Sequence, residues 1–199
     1  SGEIRNAELV LKRKDGRKIV VLENSRAVYD DHGRMLYYEG TLTDITEAHE
    51  LSQQLSYEAS HDALTGLINR REFELRLQRA IESAQIGDAR HALCYLDLDN
   101  FKVINDKYGH SIGDRLLASV AAVLRRELRQ MDMLARYAGD EFVAIMPMAS
   151  TAMATAVAER MRNAVEEQLF SVRTGTMIGL GLSVGFAAFP DSGETTEEL

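Results

Sequence analysis

Apolar positions recur along this chain with two periods, and the change from one to the other falls near residue 46. From Ile4 to about Ile45 the pattern alternates and breaks. Ala7 to Leu11 is followed by Arg13-Lys14-Asp15-Gly16, then come Lys18 to Glu23 and Ser25 to Tyr29, the break Asp30-Asp31-His32-Gly33, and Met35 to Thr43. Gly-ended breaks between β-prone runs predict antiparallel hairpins. This segment makes at most half of a small sheet domain. Glu47 to Ser60 is polar, with Ala48, Leu51 and Leu55 at helical spacings, so a helix with a narrow apolar stripe is expected. Two heptads leave two roles open: a coiled-coil-like linker, or a surface helix lying on a neighbour.

Beyond this helix, helical and strand patterns alternate. Arg70 to Ala84 carries Phe73, Leu77, Ile81 and Ala84 on one face, with Gly87 as an expected C-terminal cap. Leu93 to Leu96 reads as a short buried strand and Ile112 to Leu128 as a helix. Leu134 to Tyr137 and Phe142 to Met146 form an expected hairpin around Ala138-Gly139-Asp140-Glu141. Ala152 to Leu169 reads as a further helix, and Gly181 to Phe189 as an inner strand. The expected class is α/β or α+β, with a central mixed sheet flanked by helices behind the N-terminal antiparallel segment and helical linker.

Composition narrows the field. The 199 residues carry a net charge of −8, a field that repels phosphate backbones and anionic membrane surfaces, so nucleic-acid polymers are excluded as general partners. No apolar run approaches the roughly 18 to 20 residues that cross a bilayer. The single Cys94 lies in an apolar stretch, which predicts a buried thiol, no internal disulfide and a reducing cytoplasm. None of the five His residues stands in a zinc spacing.

The candidate chemistry is acidic. Asp97 and Asp99 emerge where the strand ending at Leu96 gives way to a loop or helix start, a place where a hard cation such as Mg²⁺ collects oxygens from side chain and backbone. Asp and Asn also cap helices and form turns, and taken alone Asp97 and Asp99 fit that role as well. Asp140 and Glu141 sit at the tip of the expected hairpin, where a turn acid is usually just solvated. Converging with the strand-end acids, they would make the carboxylate cluster that two-metal phosphoryl or nucleotidyl transfer requires.

Four ordered blocks resemble the GGDEF domains, the diguanylate cyclases: His61 to Arg70, Asp97 to Asp106, Gly109 to Asp114, and Ala138-Gly139-Asp140-Glu141-Phe142. The resemblance runs from about Ser60 to the C-terminus. It implies condensation of two GTP into cyclic di-GMP with release of two pyrophosphates. By position, Asp97, Asp140 and the backbone carbonyl of Leu98 would hold Mg²⁺ or Mn²⁺, and Glu141 would be a base or metal partner for the attacking 3′-hydroxyl. Lys102 and the backbone amides around Asn100 and Phe101 would take the phosphates. Asn105 and Asp114 would read guanine, with His110 near the nucleotide. Arg129 and Asp132 fall in the register of the family's product-inhibition motif, although an Arg and an Asp three apart also form ordinary helix-end ion pairs.

One active site holds one GTP, so the resemblance implies a catalytic homodimer. Arg13-Lys14-Asp15-Gly16 with Gly40 to Thr46 is similar to the C-terminal half of a PAS sensor domain. The implied layout is a partial PAS over 1–46, a signalling helix over 47–60 and the cyclase domain over 61–199, stopping early after Phe189-Pro190, within a parent chain that could be membrane-tethered. Ala138 departs from the family's first Gly, with two readings: a strained backbone if the position needs positive φ, or one methyl against the phosphates. The rivals to an active cyclase are a turnover-free receptor for cyclic di-GMP or GTP, and a dimerisation piece with no nucleotide role.

Overall fold

Where apolar and polar residues alternate, the computed structural model, which describes residues 2–87 and 90–189, forms strands. The first three are β1 (Glu3–Lys12), β2 (Lys18–Tyr29) and β3 (Met35–Asp44), paired antiparallel in the order β1-β2-β3. The two runs expected on either side of Asn24 are one continuous strand, because each pairs in register with β3. Gly16 and Gly33, at φ 88° and 75°, make the two turns in conformations that L side chains avoid. The helix α1 (Thr46–Ser60) starts where the Thr46 hydroxyl donates to Asp44 Oδ1 at 2.6 Å and accepts from the Val20 amide at 2.9 Å. None of its residues is buried, and Leu51 and Leu55 stand open.

The described residues separate into two units, with the division between Ala59 and Ser60. The second unit contains β4 (Ile68–Asn69), α2 (Arg70–Gly87), β5 (His91–Asp99), α3 (Phe101–Tyr108), α4 (His110–Glu127), β6 (Met133–Ala138), β7 (Glu141–Pro147) and α5 (Thr151–Glu166). It closes with β8 (Phe170–Arg173), β9 (Thr176–Ile178) and β10 (Gly181–Phe189). Five strands form one mixed sheet in the order β10-β5-β7-β6-β4, with β4 parallel to β6 and every other pair antiparallel.

Both faces of the sheet are covered, which is why the central strands read as apolar runs. Cys94, Leu96, Phe142, Ala144 and Met146 share one core with Leu116, Val120 and Leu124 of α4 and with Met161 of α5. Leu93, Val143 and Ile145 share the other with Phe73, Leu77 and Ile81 of α2. Cys94 is fully buried, and its thiol is pushed up to about 12 by burial and then by the charge of Asp132.

Several boundaries differ from expectation. The helix expected to end at Ala84 runs to Gly87, so Gly87 is its last residue rather than a cap beyond it. α5 begins one residue early, because the Ser150 hydroxyl accepts from the Met153 amide at 3.3 Å and caps the first turn; it ends three residues early, before β8. The small hairpin β8–β9 was not expected. The expected early stop of the domain after Pro190 falls outside the described residues. No described helix is long and apolar enough to cross a membrane.

The start of the second unit is clamped to the sheet. Asp62 Oδ1 accepts from the Thr65 amide at 2.8 Å and hydroxyl at 2.7 Å. Arg136 of β6 donates Nη1 to both Asp62 oxygens at 3.3 Å and Nε to the Gly139 carbonyl at 2.9 Å, so one guanidinium ties the start of the second unit to the β6–β7 turn. Burial alone would raise the Asp62 carboxyl, but the bonds from Thr65 and Arg136 outweigh it and hold the group below the usual Asp range. A depressed folded pKa stabilises above the ordinary carboxylate range, and that stability is lost as pH falls through the folded value. Asp62→Asn is therefore expected to cost about 1–3 kcal/mol in urea unfolding at neutral pH, with the gap to wild type closing below about pH 4. A gap unchanged by acid would overturn this account.

Candidate active site

The site is set by strand register. Asp97 near the end of β5 pairs directly with Glu141 at the start of β7, and Leu96 pairs with Phe142. Paired residues project from the same face, so the two carboxylates stand side by side at the rim. β6 and β7 are joined by the two residues Gly139 and Asp140, which leaves Asp140 beside the pair. The expected convergence of Asp97 with Asp140 and Glu141 is thus present in the geometry and in the electrostatics. Burial raises the Asp97 carboxyl above its usual range, and the charges of Asp140, Glu141 and Asp99 raise it further.

Asp99 faces the other neighbour. It accepts from the Ser183 hydroxyl of β10 at 2.7 Å, and a Cβ on the paired Gly181 would stand 2.4 Å from Asp99 Oδ2. Tyr95, diagonal to Glu141 on the same face, is a residue that sequence reasoning missed. Its phenol is pushed up to about 12 by burial and then by a hydrogen bond to Glu141 and that group's charge. Its ring meets Tyr137 edge-on at 5.9 Å, and the Arg70 guanidinium lies 4.6 Å from the Tyr137 centroid. An apolar strand pattern gives no signal for such a cross-strand contact.

Ala138 resolves one of its two readings. It is not among the residues at positive φ; Gly139 takes that conformation at φ 38°. Ala138 pairs with Glu141 after a bulge and is exposed, so its methyl imposes no left-handed strain.

A second group of residues gathers beyond β5. Asn100 adopts the left-handed conformation at φ 57° and turns the chain from the strand into α3, whose first-turn amides have no carbonyl within the helix to bond. Lys102 is exposed on that turn. Gly109, at φ 86°, ends α3 and begins α4, with its amide donating to the Asn105 carbonyl at 2.8 Å. This one-residue corner brings Asn105 of α3 against Gly113 of α4, with the exposed Asp114 next in sequence and the exposed His110 at the corner. Asn105 Oδ1 is buried and has no hydrogen-bond partner.

Arg129 and Asp132 lie after α4. Arg129 donates Nη2 to Asp132 Oδ1 at 2.9 Å, and its backbone amide and Nε donate to Oδ2 at 2.9 and 3.2 Å. The Asp132 carboxylate is fully buried, while Arg129 stays partly open. The pair is bonded within itself, and Asp132 orients Arg129.

The donor set suits a hard divalent cation. Among the described residues no three His, Cys, Asp or Glu side chains gather closely enough to chelate an ion alone. Mg²⁺, however, is commonly held by one or two carboxylates completed by substrate oxygens and water. An Asp97 carboxyl raised by burial and then by its acidic neighbours fits a group that supplies positive charge.

Comparison with known proteins identifies the family. The family model described as diguanylate cyclase, GGDEF domain, matches residues 59–199. Over 158 residues, 79% of this chain, the sequence is 39% identical to the probable diguanylate cyclase DgcE of Escherichia coli, of which it covers 14%. Over 139 residues, 69% of this chain, it is 40% identical to the response regulator PleD of Caulobacter vibrioides, of which it covers 31%. The chain therefore spans less than half the length of these relatives. Among solved structures, the coiled coil and GGDEF domain of DgcB from Caulobacter crescentus, in complex with c-di-GMP, aligns with a TM-score of 0.70 at 31% identity, covering 75% of this chain and 80% of that one. The isolated GGDEF domain of TpbB from Pseudomonas aeruginosa aligns at 0.66 and 36% identity, covering 70% and 81%. With its acid pair in register, its hairpin tip formed and its family match spanning the second unit, the chain belongs to the GGDEF diguanylate cyclase family.

Proposed function

We propose that this protein is a diguanylate cyclase that joins two GTP molecules into cyclic di-GMP and releases two pyrophosphates. The observation that carries the reading is the Asp97–Glu141 pair with Asp140 beside it, an acidic cluster in which burial and then the neighbouring charges raise the Asp97 carboxyl. Asp97, Asp140, Glu141 and the Leu98 carbonyl are the oxygens that would hold Mg²⁺ or Mn²⁺. When bound, such an ion neutralises phosphate charge and acidifies the attacking hydroxyl.

The chain's own residues do the rest. Glu141 accepts the proton of the 3′-hydroxyl, with Tyr95 fixing its carboxylate. As the 3′-oxygen bonds to the α-phosphorus of the other GTP, the bond to the β-phosphate oxygen breaks and pyrophosphate leaves with that electron pair. Lys102 and the open amides at Phe101 meet the charge on the departing phosphates. Asn105 and Asp114 receive guanine, whose N1–H and 2-amino group are donors, with His110 beside them. Each domain carries one GTP, so the two attacks need two domains face to face in a homodimer. Residues 1–46 are read as the C-terminal half of a PAS domain and 47–60 as the helix through which it sets the geometry of the 61–199 domains. Arg129, held by Asp132, offers its guanidinium to cyclic di-GMP as the feedback site.

The turnover-free alternative finds no support at the signature, where both acids are kept and Ala138 carries no left-handed strain.

Purified protein given GTP and Mg²⁺ should yield pyrophosphate and cyclic di-GMP, followed by chromatography. Glu141→Gln and Asp140→Asn should lower turnover by about 10²- to 10⁴-fold; wild type that leaves GTP intact but binds cyclic di-GMP would establish the receptor instead. Because the Asp97 carboxyl is raised by burial and then by its acidic neighbours, its charge destabilises as pH rises through that shifted range. Asp97→Asn should therefore melt higher than wild type at neutral pH without divalent cations, and Mg²⁺ should raise the melting temperature of wild type alone. Arg129→Ala should leave the initial rate intact while raising the half-inhibitory concentration of cyclic di-GMP by about tenfold or more; undiminished inhibition would remove Arg129 from the feedback site.

A further inference from the structure

The corner between α3 and α4 holds a glycine that backbone geometry does not require. Gly113 lies in the first turn of α4 and is not among the glycines at positive φ, so Ala there would favour the helix by about 1 kcal/mol. Space accounts for its presence. A methyl at Gly113 would stand 1.9 Å from Asn105 Oδ1, 3.0 Å from Asn105 Cγ and 3.2 Å from Phe101 Cζ. The Asn105 amide is packed against the bare Cα, and no side chain at position 113 leaves it there. Independently, Asn105 Oδ1 is the one buried side-chain polar atom among the described residues with no partner, a desolvated acceptor that costs about 1–3 kcal/mol until a donor arrives.

We propose that Gly113 is a positioning residue for base specificity: by leaving room for the Asn105 amide against α4, it sets the distance at which a nucleotide base is read. The inference rests on the GTP reading above. The base that answers this amide brings N–H donors, as guanine does at N1 and its 2-amino group, whereas the matching edge of adenine carries an acceptor at N1 and leaves Oδ1 orphaned. Asp114 adds a second acceptor on the same turn. A side chain at 113 drives the amide outward into the volume of the base, without touching the acids at the β5–β7 rim.

The test is calorimetric binding of GTP and ATP, with Mg²⁺, to wild type, Gly113→Ala, Asn105→Ala and the double variant, alongside their melting temperatures. Gly113→Ala is expected to melt no lower than wild type, to bind GTP about tenfold or more weakly and to lose most of its preference for GTP over ATP. The double variant should bind no more weakly than Asn105→Ala alone, because Gly113 acts only through that amide. Wild-type affinity and preference in Gly113→Ala, or losses that add in the double variant, would overturn the inference and leave the cyclase reading standing. Wild type with no preference for GTP over ATP would instead overturn the guanine reading, and the inference with it. Should Gly113→Ala melt below wild type, truncating Asn105 must restore the melting temperature; if it does not, the crowding lies elsewhere and the proposal falls.

Discussion

The register between β5 and β7 is the constraint on which the rest of the second unit depends. It sets Asp97 opposite Glu141, and it is fixed by side chains that have nothing to do with either acid. Cys94, Leu96, Phe142 and Ala144 point to one core while Leu93, Val143 and Ile145 point to the other. A slip of one residue would exchange every one of these between faces. Each large apolar side chain buried contributes about 1.5–3 kcal/mol, so the packing on two faces outweighs the repulsion of two half-exposed carboxylates at the rim. The acids are held together by hydrophobic residues that could not pack otherwise, and the protein carries their mutual repulsion as a standing cost that positive charge relieves.

The loops that finish the site follow from that register with little freedom left. β7 can begin at Glu141 only because Gly139 and Asp140 close the hairpin in two residues, and the Arg136 guanidinium braces the turn from below through the Gly139 carbonyl. On the other side of the sheet, β5 ends at Asp99 where Ser183 holds that carboxylate, and Asn100 reverses the chain into α3. A short turn and a one-residue helix corner thus set two clusters of different chemistry, acids on one side and the Asn105–Asp114 pair on the other, at the ends of neighbouring elements.

Much of this was legible in the sequence, and the parts that were not share a physical cause. The hairpin carrying Asp140 and Glu141, the strand that leads to Asp97 and the buried Cys94 all announce themselves by local pattern. Strand length does not: β5 was read as Leu93–Leu96 but runs from His91 to Asp99, because pairing with β7 and β10 carries it past the apolar run, into a buried His91 at one end and the half-exposed Asp97 and Asp99 at the other. The β8–β9 hairpin carries weak signals, Phe170 and Val172 alternating before the turn at Gly175, too short a pattern to predict an element between Leu169 and Gly181. Contacts distant in sequence leave no local trace. Arg136 meets Asp62 across 74 positions, and Tyr95 reaches Glu141 from another strand. The Ala at the signature shows the reverse case, since one of the two readings of the family pattern puts backbone strain there and the φ angles place the left-handed residue one position later.

Cys94 has a practical consequence for anyone who works with this molecule. It is the one cysteine in the chain, it has no exposed surface, and its thiol stays protonated far above neutral pH. Maleimides and other thiol reagents attack the exposed thiolate, so the native fold is silent toward them. A cysteine introduced on the surface of α1 or α4 would then be the single reactive position, and fluorophores or spin labels could be attached there without first removing a native residue from the core.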